Sequence, residues 1–330
     1  MPTAIDLFAG AGGLSLGLEK AGWSIAAAVE FDKAASATHQ HNFPSTEHFC
    51  EDVKEIDFRR FNGIDLVAGG PPCQPFSVSG KRMGQFDLRD MVPEFVRAVA
   101  QARPKAFLME NVAGLANRRF ESYLAERITE LQDLGYVVFS KVLNAADYGV
   151  PQKRKRLILV GLRSDQNGVF SYPEQTHGPE AEKTYKTTSE CLDGVPEDVP
   201  NNAKIVFCKN PVLRRSPYAG MLFNGKGRPL EFDGLAHTIP ASAGGNRTHI
   251  LDPNKLVAKY HALLMRGEKP RQGQLEGVRR ITVRESARIQ TFPDGFEFLG
   301  RQSSRYAQVG NAVPPILAQA IGSAIKRALV

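Results

Sequence analysis

An apolar run from Ile64 to Ala68 stops abruptly at two glycines, two prolines and a cysteine, the segment Gly69 to Cys73. Such a run is typical of a buried strand that ends in a loop. Glycine allows a close approach of backbone or ligand, and proline stiffens the chain that follows. Most isolated cysteines are buried and inert. A rigid, hydroxyl-rich loop at the carboxyl end of a strand, however, is where open α/β sheets bind ligands. We therefore interpret Cys73 as a candidate nucleophile.

The N-terminal segment has the order strand, glycine-rich loop, helix. Apolar residues 4–8 precede the loop Ala9 to Gly13, and a helix is predicted from about Leu14 to Lys20. This order opens a nucleotide-binding βα unit, in which the glycines let the N-terminus of the helix approach a ligand.

The next two predicted strands end in acids. Glu30 follows the strand 24–29 and can accept hydrogen bonds from ribose hydroxyls, while Phe31 can stack on an adenine ring. Asp52, after the strand 47–50, can accept a hydrogen bond from an adenine amino group. These residues together predict an adenosine-containing cofactor, and they leave NAD and S-adenosylmethionine both open.

Charged side chains accompany two further predicted strands. Glu110 follows the apolar strand 106–109, where a dry environment suits an acid that donates a proton or a hydrogen bond. A helix cap or a salt bridge is the alternative. In the segment 153–156, alternation along an extended chain places Arg154 and Arg156 on one face and the two lysines on the other. Guanidinium groups on that face suit carbonyl and phosphate oxygens.

The net charge of +7 is unevenly distributed. Residues 1–150 hold 15 Lys and Arg against 19 Asp and Glu, and residues 151–330 hold 27 against 16. A basic half indicates a polyanionic partner, first of all nucleic acid, although a solvated basic surface is the alternative. Two basic, glycine-rich loops lie in this half, 224–228 and 243–247. We expect their arginines, Arg228 and Arg247, to contact DNA.

The histidines and cysteines indicate neither a metal site nor a disulfide framework. The four cysteines contain no C-x-x-C pair and suit a reducing cytoplasm. The histidine spacing matches no metal template, so we interpret these as ordinary polar residues: His39, His41, His237, His249 and His261. No apolar run approaches the ~20 residues needed to span a bilayer, and the N-terminus has no basic signal-peptide region. We therefore expect a cytoplasmic protein.

Two helices are predicted near the C-terminus. Thr282 and Glu285 have the spacing of a capping box, which would begin a helix that runs to about Gln290. The segment from Ile316 to Leu329 carries one apolar stripe and predicts a final helix packed on a sheet.

Taken together, the motifs resemble those of the DNA (cytosine-5)-methyltransferases of bacterial restriction-modification systems. They occur in the family's order along the chain: DLFAGAGG (6–13), VEFD (29–32), GGPPCQPFS (69–77), MENV (109–112), YGVPQKRKR (148–156), TVRESARIQTFPD (282–294) and QVGNAVPP (308–315). Residues from about 164 to 277 lack a strong match, as the resemblance implies for a variable target-recognition domain. Ser286 and Thr291 stand where the family commonly has Cys and Gly, and we expect neither change to affect the chemistry.

The resemblance implies an α/β fold, with the doubly wound, mostly parallel, Rossmann-like sheet of the S-adenosylmethionine-dependent methyltransferases. A smaller, loop- and strand-rich target-recognition domain would be inserted into it. We assign residues 1–165 plus 306–330 to the catalytic and cofactor-binding domain, and residues 166–305 to the target-recognition domain and hinge. The final helix should return to pack beside the first glycine loop.

The resemblance also implies a mechanism. The target cytosine would be flipped out of the duplex, Cys73 would attack its C6, and C5 would take the methyl group of S-adenosylmethionine. Glu110 would hold N3 and the exocyclic amine, Arg154 and Arg156 would lie near the carbonyl and the thiolate, and no metal is required. The implied cofactor-binding residues are Phe8, Ala9, Gly10, Gly12, Gly13, Leu14, Glu30, Phe31, Asp52, Val53, Gly70, Pro71, Asn311 and Ala312. The implied DNA-contact residues are Gln74, Ser77, Ser79, Lys81, Arg82, Asn111, Gln152, Thr238, Arg228 and Arg247.

The implied partner is double-stranded DNA, with a cognate restriction endonuclease as functional partner, and we expect a monomer that associates with the nucleoid and not with a membrane. The basic segment 77–90 is expected to close over the substrate. Three rivals differ from this interpretation. A tRNA methyltransferase of the same family would tend to carry a smaller recognition domain, and an NAD-dependent dehydrogenase leaves Cys73 and Glu110 unexplained. A catalytically silent DNA-binding protein would have no need of both residues.

Overall fold

The computed structural model describes residues 1–72 and 90–329. In chain order its first strands are β1 (Thr3–Leu7), β2 (Ser24–Val29), β3 (Glu47–Phe49), β4 (Leu66–Gly69), β5 (Ala106–Val112), β6 (Tyr136–Asn144), β7 (Gln152–Lys153) and β8 (Lys155–Arg163). Within the described residues, seven of these strands form one sheet in the order β3-β2-β1-β4-β5-β8-β6. Strands β1 to β5 pair in parallel, and β8 runs antiparallel to both β5 and β6. The expected doubly wound, mostly parallel sheet is confirmed.

Helices cover both faces of this sheet. In chain order the helices of the described residues are α1 (Gly13–Lys20), α2 (Lys33–Asn42), α3 (Val92–Ala102), α4 (Glu121–Asp133), α5 (Thr188–Leu192), α6 (Leu256–Met265), α7 (Val283–Ile289), α8 (Gln302–Asn311) and α9 (Pro315–Ala328). One face packs on α1 and α9, and the other packs on α3 and α4. Because both faces are covered, the central strand β4 is apolar throughout and its side chains are completely buried.

The chain returns at its end to the first glycine loop, as the resemblance implied. Helices α1 and α9 approach so closely that a Cβ on Gly17 would lie 2.3 Å from the Cβ of Ala318. The Trp23 indole beyond α1 donates a hydrogen bond to the carbonyl of Gly322 in α9. The N- and C-terminal motifs therefore belong to one packed layer.

The part between β8 and α7 consists mainly of loops and short strands. These strands are β9 (Phe207–Val212), β10 (Met221–Phe223), β11 (Ala236–His237), β12 (Ile250–Leu251) and β13 (Arg279–Arg280). The pairs β9–β10 and β12–β13 are antiparallel, and β11 pairs in parallel with β7. A separate apolar cluster includes Leu222, Ile250 and Tyr260. This character agrees with a loop- and strand-rich insertion, while the exact domain boundaries stay a prediction.

Local predictions and observed elements differ at two points that matter for the site. Strand β5 continues to Val112, so Glu110 lies inside it and not after it. Helix α8 was not predicted, because its ten residues are largely polar and only Tyr306 and Val309 bury large apolar side chains. The capping box at Thr282 and Glu285 is confirmed. None of the helices in the described part of the chain is long and apolar enough to cross a membrane.

Candidate active site

Several predicted cofactor residues and Glu110 lie where the parallel strands β1, β2, β4 and β5 end. The pairing register places Leu7 beside both Val29 and Gly69, and Gly69 beside Met109. The carboxyl ends of these strands therefore meet at one edge of the sheet, which is where open α/β sheets bind ligands.

The glycine loop between β1 and α1 depends on left-handed backbone conformations. Gly10 and Gly12 have φ values of 56° and 96°, and Phe8 has a φ of 59°. A non-glycine residue in this region carries strain that surrounding structure must offset, and such residues cluster at binding sites. A Cβ on Gly13 would lie 2.3 Å from the carbonyl oxygen of Val313, so glycine is needed there for the loop to pack on the segment before α9.

Glu30 ties the end of β2 to this loop. Its two carboxylate oxygens accept hydrogen bonds from the backbone N–H groups of Gly10 (2.8 Å) and Asp32 (2.7 Å). Burial raises the pKa of Glu30, and these hydrogen bonds act in the opposite direction. Phe31 leaves its ring 74% exposed beside this carboxylate. Asp52 caps a turn through a hydrogen bond from the N–H of Lys54.

Most of the other predicted cofactor residues have side chains that are buried and do not face solvent. Leu14, Val53 and Ala312 bury their side chains in the hydrophobic cores. Pro71 is buried, and its carbonyl accepts a hydrogen bond from the side-chain amide of Asn111. Asn311 is exposed at the end of α8. The side chain of Asn111 is 3% exposed and holds the proline loop, and its contact with DNA stays a prediction.

Glu110 in β5 forms an ion pair with Arg156 in β8. The Nε atom of Arg156 lies 2.7 Å from Oε1 of Glu110, and both side chains are mostly buried. The contact fixes the carboxylate by charge and leaves its remaining lone pairs available. A Cβ on Gly70 would lie 3.3 Å from Oε2 of Glu110. The Gly-Pro-Pro segment that leads to Cys73 therefore begins beside this carboxylate.

Six predicted site residues lie outside the described residues: Cys73, Gln74, Ser77, Ser79, Lys81 and Arg82. The same holds for residues 77–89 of the segment expected to close over the substrate. Their roles stay predictions.

Arg154 and Gln152 have different partners from those expected. Arg154 is 1% exposed, and its Nη atoms donate hydrogen bonds to the carbonyls of Ile239, Gly310 and Ala312 at 2.9 to 3.3 Å. Burial is the main reason why the pKa of Arg154 lies well below its ordinary value. Gln152 is fully buried, accepts from the N–H of Ile239, and donates to the side chain of Gln290.

The chain changes partner at Arg154, which explains the difference. Strand β7 before it pairs with β11, whereas β8 after it pairs with β5 and β6. The regular alternation is therefore interrupted at Arg154, although Arg156 and Glu110 lie close enough to act on the charge of Arg154. Arg156 contacts Glu110, and Arg154 holds the backbone at the C-terminal end of α8 and just after β11. Gln152 holds the segment after β11, and its contact with DNA stays a prediction.

The two basic loops of the insertion lie against each other. A Cβ on Gly225 would lie 1.9 Å from the carbonyl oxygen of Asn246, so the two backbones are in contact. The buried guanidinium of Arg280 joins them by donating to the carbonyls of Thr248 and Asn224. Arg228 and Arg247 project from these loops as exposed side chains. Thr238, predicted to contact DNA, donates its hydroxyl to the carbonyl of Lys153.

One buried cluster beside the glycine loop was not anticipated. Asp6 in β1 is 1% exposed, and its Oδ2 accepts a hydrogen bond from Ser15 at 2.6 Å. Ser15 in turn contacts His39, and His39 contacts His48. The acid inside the N-terminal apolar run is the available sequence signal, whereas from sequence we interpret His39 as an ordinary polar residue.

With this geometry in view, three comparisons with known proteins agree. The model of the C-5 cytosine-specific DNA methylase family matches residues 3–327. The type II methyltransferase M.XorII of Xanthomonas oryzae pv. oryzae is 36% identical over 99% of this chain and 85% of its own length. The type II methyltransferase M.NgoMIV of Neisseria gonorrhoeae is 35% identical over 99% of this chain and 98% of its own length.

Solved structures give the same picture of the fold. A putative DNA modification methyltransferase encoded within an E. coli prophage superposes with a TM-score of 0.70 at 25% identity, covering 100% of this chain and 99% of that one. A DNMT2 variant of Spodoptera frugiperda superposes with a TM-score of 0.74, covering 99% of this chain and 100% of that one. At 19% identity the second likeness supports the fold alone.

Proposed function

Because this chain belongs to the C-5 cytosine-specific DNA methylase family, we propose that it methylates C5 of one cytosine within a short DNA sequence. The methyl donor is S-adenosylmethionine, and the reaction passes through a covalent bond between Cys73 and C6. The observation that carries this proposal is the buried Glu110–Arg156 pair beside the loop that leads to Cys73.

The chemistry requires an electron-rich C5, which cytosine does not offer by itself. The Cys73 thiolate adds to C6 and pushes electron density toward C5 and N3. S-adenosylmethionine, held at the sheet edge near Glu30 and Phe31, would supply an electrophilic methyl group: C5 would form its new bond as the methyl–sulfur bond breaks, and S-adenosylhomocysteine would leave. A base then removes the C5 proton, the C5–C6 double bond re-forms, and the thiolate leaves.

Glu110 and Arg156 are suited to the intermediate. The carboxylate of Glu110 has lone pairs beyond its contact with Arg156, and these can accept hydrogen bonds from the exocyclic amine of the base and from N3 once N3 is protonated. Arg156 holds this carboxylate in place by its charge and can stabilise the carbonyl oxygen as negative charge develops. A pair fixed before the reaction needs no reorganisation during it, and this is why such groups contribute strongly to rate.

The proposed cofactor fits the residues at the sheet edge. The exposed Phe31 ring offers a stacking face, and Glu30 beside it keeps lone pairs for ribose hydroxyls. The open space above Gly10, where an added Cβ would meet nothing within 4 Å, leaves room for a ligand. Two buried carboxylates, Asp6 and Glu30, also provide negative charge near a cationic methyl donor.

A duplex substrate requires base flipping, because C6 is inaccessible within stacked DNA. The cost is a few kcal/mol, and contacts of the basic insertion with phosphates would offset it. Relatives named type II methyltransferases support a role in a restriction-modification system with a cognate endonuclease. A monomer that acts on the chromosome in the cytoplasm is the simplest form of this proposal.

The test is base-resolution sequencing of 5-methylcytosine in plasmid DNA from cells that express the chain, with Cys73→Ser as the matched control. We expect methylation at one short motif with the native chain and none with the variant. Unmodified DNA from folded, cofactor-binding protein would contradict the DNA substrate and favour tRNA. Turnover of Cys73→Ser near the native rate would contradict the nucleophile.

A further inference from the structure

A chain of four polar side chains runs from the surface to the base of the glycine loop. The Ser15 hydroxyl donates to Oδ2 of Asp6 at 2.6 Å and lies 2.9 Å from Nε2 of His39. The Nδ1 atom of His39 lies 2.8 Å from Nε2 of His48. Asp6, Ser15 and His39 are completely buried, whereas His48 is half-buried and reaches solvent. None of the steps proposed above uses the serine or either histidine.

The number of available protons fixes the direction of these three hydrogen bonds. Ser15 has a single hydroxyl proton, which it donates to Asp6, so it accepts a hydrogen bond from the Nε2–H group of His39. A neutral imidazole has only one N–H group, so Nδ1 of His39 accepts from His48. All three hydrogen bonds therefore point toward the Asp6 carboxylate, and bonds aligned in this way polarise one another.

His39 is held in its neutral form. Burial, with a smaller contribution from His48, lowers the pKa of His39 to about 3. Burial also lowers the pKa of His48. Near neutral pH these three hydrogen bonds therefore keep the donors and acceptors described above.

Asp6 receives these donors at a position where its charge state is balanced. Burial raises the pKa of Asp6 to about 7, the hydrogen bonds of Ser15 act against this increase, and the neighbouring carboxylate of Glu30 adds to it. Among the described residues, Oδ1 of Asp6 is buried without a hydrogen-bond partner. Glu30 itself faces the charge of Asp32. Small changes in the donors thus decide how much of Asp6 is ionised at neutral pH.

The same residues support the glycine loop. A Cβ on Gly12 would lie 3.0 Å from the His39 ring and 2.3 Å from the Phe43 ring, so both rings pack directly against the loop. On the other side Glu30 binds the N–H of Gly10. The loop is therefore flanked by two carboxylates, and the charge of one depends on the histidine chain.

We propose that His39, with Ser15 and His48, is a positioning relay that stabilises the ionised form of the Asp6 carboxylate and thereby sets the affinity of the glycine loop for a cationic methyl donor. The affinity part rests on the proposed function, because it concerns that donor. The ionisation state of Asp6 does not depend on the proposed function.

The first measurement is a titration of the Asp6 carboxyl by ¹³C NMR in cofactor-free protein labelled at aspartate Cγ, with Asp6→Asn to assign the signal. The native midpoint should lie near 7. Ser15→Ala, and His39→Phe, which keeps a ring but lacks both nitrogens, should move the midpoint upward. In His39→Gln the midpoint should stay at its native value, because an amide can donate to Ser15 and accept from His48. His41→Phe is the matched control, since His41 lies on the same helix, is exposed, and pairs with Glu297.

The second measurement is the dissociation constant of S-adenosylmethionine between pH 6 and 9, by calorimetry. An upward shift of about one pH unit would reduce ionised Asp6, and hence affinity at pH 7, about fivefold. The loss should fade at higher pH, and His39→Gln and His41→Phe should behave like the native chain. Titration of the cofactor's own ammonium group is common to all variants and cancels in the comparison.

Three results would overturn the proposal: an unchanged Asp6 midpoint in Ser15→Ala, a shifted midpoint with unchanged affinity at pH 7, or equal weakening at every pH. The last would mean that His39 only supports the fold. If His39→Phe fails to fold, Ser15→Ala carries both measurements. A native protein that binds no S-adenosylmethionine would contradict the proposed function, and the NMR titration would then still decide whether the relay exists.

Discussion

At the scale of single residues, the site depends on side chains with similar sequence patterns but different partners. Arg154 and Arg156 stand two positions apart, yet one donates to three backbone carbonyls and the other pairs with Glu110. The Glu110–Arg156 contact could be anticipated in part, since an acid in a buried strand requires a salt bridge or an equivalent partner. The contacts of Arg154 could not, because they depend on segments far away in the chain.

Glu110→Gln should lower kcat about 10²- to 10³-fold, the usual effect of removing one preorganised electrostatic contact. The amide lacks the negative charge of the carboxylate, which pairs with Arg156 and holds the edge of the base. Transfer of tritiated methyl groups to DNA measures the rate. Glu94→Gln, which removes a similar acid from an ion pair with Arg97 on α3, is the matched control and should keep the native rate. Equal losses in both variants would contradict the role of Glu110.

Arg154→Met should destabilise the fold by about 2 to 4 kcal/mol, because it leaves three carbonyls near α8 and β11 without their donor. Urea unfolding measures this loss. The neighbour Lys153 is exposed and only loosely paired with Glu231, so Lys153→Met should change stability by less than about 0.5 kcal/mol. A stable Arg154→Met protein without activity would instead favour a direct catalytic role.

At the scale of secondary-structure elements, local signals predicted most boundaries. Strand β2 has the predicted bounds, because its apolar run and the residues that flank it agree there. Strand β5 exceeds its apolar run, because pairing with β8 extends it over Glu110 and Asn111. Helix α8 has few apolar residues and forms by packing against α7 and the insertion, which no local pattern indicates.

The capping box of α7 gives an element-scale prediction. Thr282→Ala removes the side-chain acceptor of the Glu285 N–H, and it should cost about 1 kcal/mol of stability. Denaturant unfolding measures it. Thr129→Ala in the middle of α4 removes only an exposed hydroxyl bonded to the carbonyl of Ala125 and should be nearly neutral. Equal costs would show that Thr282 acts by bulk and not as a cap.

At the scale of the whole molecule, charge separates the acidic first half from the basic second half. A duplex that binds the insertion would release counterions in proportion to the phosphates contacted. Exposed Arg228 and Arg247, on loops that Arg280 holds together, are placed to make such contacts.

The double substitution Arg228→Ala and Arg247→Ala should therefore lower the slope of log K against log salt by about two. Fluorescence anisotropy with a labelled duplex at several salt concentrations measures the slope. Arg59→Ala with Arg60→Ala is the charge-matched control, because these exposed arginines pair with Asp57 and Glu47 in the first half. A native slope in the Arg228/Arg247 variant would place the DNA elsewhere.

The order of motifs, the apolar strands and the caps follow from sequence, since each depends on residues only a few positions apart. These local patterns predicted the sheet, the glycine loop and the position of Glu30. The partners of Arg154, Gln152 and Asn111, and the path from His48 to Asp6, emerge only in three dimensions. The reason is physical: the hydrogen bond from Arg154 to Ala312 joins residues 158 positions apart. Whether a buried polar group serves chemistry or packing depends on which acceptor the folded chain brings within about 3 Å.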